Sequence, residues 1–135
     1  MALGEKLFEE KGKMTIPFIK EIDANGITMK QSFTSELKGF GKWPSGMNLG
    51  SGKIVVNQSG KGHGKWHGII TTSDGEMVVW AGSGRSKRTA KTMKGVMLLT
   101  FMTNSEKLKW MNDIIVVTDI AGDMMEFTDV GYEWK

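Results

Sequence analysis

From Lys6 to Trp134, apolar and polar residues alternate in runs of about ten, cut by turn signals, with no stretch of helical period between them. That pattern confines the chain to antiparallel strands with one face turned toward a core. The first run, Lys6 to Glu21, is broken near Pro17, which cannot donate to a ladder. Asp23-Ala24-Asn25-Gly26 reads as a hairpin turn. In the next run Ile27, Met29, Gln31, Phe33, Ser35 and Leu37 share the interior face, and Thr28 to Lys38 on the other parity face outward. Gly39 to Gly52, glycine-rich around Trp43-Pro44, predicts a loop or a strongly bent strand before a third run at Lys53 to Gln58. Further runs follow at His63 to Thr72, Met77 to Ser83, Thr89 to Met102 and Leu108 to Thr118, and a last one ends at Trp134. Between them stand Ser59-Gly60-Lys61-Gly62, Ser73-Asp74-Gly75-Glu76, a basic turn at Gly84 to Arg88, and turns at Thr103 to Lys107 and Asp119 to Asp123. Eight runs with short connections predict an all-β fold, a single eight-stranded antiparallel up-and-down barrel over residues 1–135.

Absence of cysteine excludes disulfides and thiolate chemistry. The segment Met1 to Lys6 has no apolar signal-peptide core, Ala2 does not fit N-myristoylation, and the longest uncharged run, Gly95 to Ser105, is too short for a membrane helix. A cytoplasmic protein with no membrane contact is therefore expected. The net charge of +3 is too mild to select a partner.

The sixth and seventh runs depart from alternation. Gly95 to Met102 and Ile114 to Val117 are apolar at consecutive positions, so both faces of these strands avoid water. Bulges that shift the face register are one explanation; otherwise the N-terminal residues or a second copy cover the outer face, and a homodimer through the sixth and seventh runs is expected.

Several features of the second half share a pattern: Ser73-Asp74-Gly75-Glu76 followed by Trp80 and Gly82, Thr103 to Leu108, Met111-Asn112 leading an apolar strand, Val117 to Gly122, and a terminal Tyr132-Glu133-Trp134-Lys135. In these, residues 50 to 135 resemble a group of small prokaryotic proteins with a calycin-like or allene-oxide-cyclase-like barrel. The resemblance implies the barrel and leaves the activity open, because such folds host unrelated functions.

His63 and His67 would lie roughly 13 Å apart on a strand, too far for one ion, and with Lys61 and Lys65 they form an outward basic stripe. Trp66 then points inward between Gly64 and Gly68. Gly50-Ser51-Gly52-Lys53 lacks the first glycine and the helix of a phosphate loop. No metal or other cofactor is implied. Arg85, Lys87, Arg88, Lys91 and Lys94 cluster, but aromatic residues make up only 9% of the chain and several of them sit at core-facing positions, so nucleic acid is not expected as a partner. There is no nucleophile elbow and no paired acid motif, and acidic residues mostly fall in turns or on outward faces, so binding is expected rather than catalysis.

The lumen remains. Phe33, Trp66, Phe101 and Trp110 would give it apolar walls, and Gln31, Ser35, Asn57 and Asn112 sparse polar groups, with Gln31 and Asn112 orienting a small apolar or amphipathic ligand. Such a site needs an open lumen of roughly 300 Å³ or more. An isomerase or cyclase similar to allene oxide cyclase, whose cavity moulds a reactive substrate, is the alternative; a structural or interaction module with a filled barrel is the third.

Overall fold

The structure, a computed structural model, describes residues 3–135. The reading of Met1 and Ala2 lies outside them. Nine strands form: β1 (Leu3–Met14), β2 (Phe18–Asp23), β3 (Gly26–Gly39), β4 (Gly46–Val56), β5 (Lys61–Thr72), β6 (Met77–Arg88), β7 (Met93–Met102), β8 (Ile115–Gly122) and β9 (Glu126–Trp134), with a 3-10 turn at Lys109–Asp113 before β8. The sheet order is β1-β9-β8-β7-β6-β5-β4-β3-β2, and β1 also pairs with β3. That pairing closes an eight-stranded antiparallel barrel and leaves β2 as one extra strand. Among the described residues no helix is long and apolar enough to cross a membrane.

The first run does break at Pro17. Phe8 to Met14 of β1 pair with Gly39 to Phe33, and β2 continues along the same edge of β3, pairing Phe18 with Lys30 and Asp23 with Gly26. Gln31 Nε2 donates to the Thr15 carbonyl at 2.9 Å and fastens the link between them. The hairpin turn sits where Asn25-Gly26 placed it, Gly26 having φ 127°.

Four boundaries differ from expectation, one of them the turn at Asp119 to Asp123, whose first four residues are the end of β8, paired with β7. The predicted loop at Gly39 to Gly52 is half strand, since β4 starts at Gly46. Its glycines face inward and make room for rings: a Cβ on Gly50 would collide with Phe33, and one on Gly52 with Trp66. The basic turn at Gly84 to Arg88 is the end of β6; the chain reverses at 89–92, where Thr89 Oγ1 accepts from the Thr92 amide at 3.0 Å. Leu108 to Asp113 is not strand. Asn112 Oδ1 accepts from the Thr103 amide at 2.8 Å and its Nδ2 donates to the Thr103 carbonyl, which clips the chain into a turn that buries Leu108 and Met111, three residues apart.

Large inward side chains lie over glycines on the adjacent strand throughout the barrel. Besides the two pairs above, Phe8 covers Gly131, Trp80 covers Gly68, Phe127 covers Gly12 and Leu99 covers Gly82. A small barrel's interior leaves little space per strand, and a ring opposite a glycine fills it without spreading the wall. Phe33 sits at the centre of this packing, with ring centroids 5.2 Å from Phe127, 5.8 Å from Trp66 and 6.0 Å from Trp80.

Candidate functional site

The two ends of the barrel differ. One carries the loops at 40–45 and 73–76 and the 3-10 turn, and it is plugged: Trp43 is buried, stacked on Phe8 at 5.6 Å and edge-on to Phe101 and Trp110. The other carries the turns at 23–26, 57–60, 89–92 and 123–125. There the inward positions hold small residues, Gly62, Gly64, Gly84, Ser86 and Gly95, so the lumen opens. A cavity of about 90 Å³ runs inward from this mouth past Met93, Met97 and Trp66 toward Phe8 and Leu37. That is smaller than the expected 300 Å³, because the rings over the glycines occupy most of the interior.

At mid-depth the cavity meets two carboxyl groups. Glu10 and Asp129 are directly opposite each other on β1 and β9, and both are buried. Asp129 is held well above the usual carboxylate range, first by burial and then by the charge of Glu10 beside it; Glu10 is raised by burial, and its hydrogen bond from Asn48 works against that rise. The Asn48 bond has a fixed direction. Trp80 Nε1–H, which can only donate, donates a hydrogen bond to Asn48 Oδ1 at 2.7 Å, so the Asn48 amide must point its Nδ2–H at Glu10 Oε2, at 2.8 Å. Asp129 Oδ1 receives no donor from the described residues. Two ionised carboxylates side by side could only repel, and burial forbids both charges at once. One proton shared by the pair removes the conflict, with Asp129 as the acid and Glu10, steadied by Asn48, as the carboxylate.

The sequence places most acidic residues in turns and on outward faces, and these two are the exceptions that it did not single out. A signal was present in Phe8-x-Glu10-x-Gly12 and Phe127-x-Asp129-x-Gly131, one motif written twice. The register pairs Phe8 with Gly131, Glu10 with Asp129 and Gly12 with Phe127, so each motif supplies the ring that covers the other's glycine.

Of the residues expected to line the site, Phe33, Trp66 and Phe101 do border the cavity, Trp66 being half-buried. Gln31 and Ser35 are buried and inward-facing, Ser35 beside Glu10 and Gln31 committed to Thr15. The other three lie elsewhere. Asn57 is exposed in the 57–60 turn, where its Oδ1 accepts from the Ser59 and Lys61 amides and the Ser59 hydroxyl. Trp110 belongs to the plug, under Lys42. Asn112 is the exposed clip on Thr103 and orients nothing in the lumen. All three were assigned to strand faces, and the chain at those positions is turning. His63 and His67 project outward from β5.

The outer wall bears the bare apolar band expected of the doubly apolar runs. Val96 is 49%, Leu98 53%, Met102 68% and Ile115 38% exposed. The described N-terminal residues do not cover it, since β1 is itself a wall of the barrel and β2 lies along β3.

The geometry defines a closed antiparallel barrel with a buried acid pair in its lumen. No protein-family model and no curated protein matches the sequence. Solved structures share the fold. A protein of unknown function from Clostridium acetobutylicum superimposes with a TM-score of 0.86 at 18% identity, covering 100% of both chains. A β-barrel-like protein from Acinetobacter baumannii does so with 0.82 at 15% identity, over 99% of this chain and 96% of that one. An enzyme from Penicillium herquei matches with 0.73 at 19% identity, over 96% of this chain and 92% of that one.

Proposed function

We propose that the barrel takes up a small apolar or amphipathic molecule through its open end and holds it against the Glu10–Asp129 pair. The observation that carries this reading is the pair itself: a purely structural barrel gains nothing by burying two carboxyls with no cation beside them. Apolar walls with a few convergent polar groups suit a ligand site. Met14, Met93 and Met97 line the cavity, and their unbranched side chains can yield to a guest larger than 90 Å³. The neutral fluorophore N-phenyl-1-naphthylamine tests this. Its emission should rise on mixing with the protein and stay low with Met97→Trp, which fills the lumen. No rise with the wild type, or an equal rise with the variant, rejects lumenal binding.

A second reading has its own support, the opposed roles of the two carboxyls. An acid and a base facing one cavity are what an isomerase or cyclase similar to allene oxide cyclase requires, and the likeness to an enzyme from Penicillium herquei agrees with it. On a carbonyl substrate Glu10 would remove an α-proton while Asp129 delivers its own to the oxygen, giving the enol. Exchange of α-hydrogens of small ketones in deuterated water, abolished by Glu10→Gln and by Asp129→Asn, separates catalysis from binding alone.

The outer band supports a homodimer through β7 and β8. Leu98 lies opposite Val117 and Met102 opposite Val79, which carries the apolar surface onto the neighbouring strands, while Ser83, Arg85 and Asp119 beside Leu98 and Val96 bound it. Light scattering should report twice the chain mass, and Leu98→Lys should yield monomers or aggregates, because the ammonium would be desolvated without a partner. A wild-type monomer at micromolar concentration overturns the dimer.

A further inference from the structure

The mouth of the lumen carries two unused donors. Ser86 and Arg88 stand two apart on the inward face of β6, and both border the cavity. Ser86 Oγ and Arg88 Nε are buried, and neither has a hydrogen-bond partner among the described residues. They differ from the acid pair deeper in the lumen, where each group has a neighbour to share a proton or a bond with. A guanidinium has five N–H donors and no acceptor, so an Nε–H buried beside a cavity can be satisfied only by an acceptor that enters it. A half-buried cation is best satisfied by an anion, through charge-assisted bonds.

The outer surface of the rim is mostly of the same sign, with Asp119 its one acidic member. Lys61, Lys87 and Lys94 lie directly opposite one another on β5, β6 and β7 at this rim, all exposed, and the described residues give none of them an ion pair. Like charges placed opposite on a sheet disfavour the fold, while an anion at the mouth relieves them. Farther in, Glu10 and Asp129 repel an anion that goes deep. The lumen thus carries a cation, Arg88, near its mouth and the acid pair farther in, and shares its wall with Met93, Met97 and Trp66.

We propose that the ligand is an anionic amphiphile, an apolar body ending in a carboxylate or similar group, which enters body first and leaves its anion on Arg88 and Ser86. This rests on the lumen being a ligand site and adds the chemical class of the ligand and its orientation. Charge at the rim also raises the rate of encounter with such a molecule.

Hexanoate and hexanamide, nearly equal in shape, serve as the probes, with binding read by titration calorimetry on the whole protein at neutral pH. The wild type should bind hexanoate at least about tenfold more tightly than hexanamide, the range of one charged hydrogen bond. Arg88→Gln should erase that preference, Arg88→Lys should keep most of it, and Ser86→Ala should weaken hexanoate alone. Circular dichroism confirms that each variant is folded; if Arg88→Gln is not, Ser86→Ala and Arg88→Lys decide. Equal binding of both probes by the wild type, or a preference that survives in Arg88→Gln, overturns the anion site and leaves lumenal binding intact. Binding of neither probe removes the lumenal site and this assignment with it.

Discussion

Raising the pH from 5 to 8 should destabilise the folded barrel, and Asp129→Asn should abolish most of that loss. Asp129 holds a proton in the fold that the unfolded chain releases near the ordinary carboxyl pKa of about 3.9. Its folded pKa is raised, so the folded state binds more protons than the unfolded one throughout the interval between the two values. Stability present below the unfolded pKa is therefore lost as pH climbs toward the folded one, at up to about 1.4 kcal/mol per pH unit for one group. Glu10 is raised too and pulls in the same direction. The carboxyls with lowered values, Glu9, Asp74 and Asp123, have the opposite sign and are already ionised above pH 5, so they do not oppose the trend there. Urea unfolding at several pH values measures this. A wild type as stable at pH 8 as at pH 5, or a decline of equal slope in Asp129→Asn, would show that the buried pair holds no proton.

Phe33→Ala should cost roughly 3 to 5 kcal/mol, the range for deleting a buried ring. Phe33 is 8% exposed and touches three other aromatic residues, and it also covers Gly50, so truncation opens a void that the rigid wall cannot close. Trp66→Ala should cost less, since Trp66 is only half-buried at the cavity wall. Thermal and denaturant unfolding of both variants checks the order. A Phe33→Ala loss below about 1 kcal/mol, the scale of surface changes, would place Phe33 outside the core.

The alternation of residues was enough to read most strands, their inward faces and the barrel itself. Gln31, Phe33, Ser35 and Leu37 are inside, as their parity requires, because a strand's two faces are set by local geometry that a short run records. Ile27 at the head of the same run is 37% exposed and Thr28, expected to face outward, is buried, so the inward parity reverses between Thr28 and Gln31, where β2 replaces β1 as the neighbour of β3. Asn57, Trp110 and Asn112 were misplaced for a related reason. Hydrogen bonds between side chain and backbone turn the chain at those positions, and such bonds leave no periodic trace.

What remained hidden depends on which strands become neighbours. Whether a glycine is a hinge or a seat for a ring is decided by the residue on the adjacent strand, and Gly50 and Gly52 became wall only because Phe33 and Trp66 lie over them. The acid pair is the extreme case, since Glu10 and Asp129 stand near opposite ends of the chain and meet only when β1 closes against β9. Sequence alone determined most of the strands, most of their faces and the bare outer band, all consequences of local pattern. Closure of the barrel decided the site, by burying two carboxyls in one apolar space where a single charge is all that burial allows.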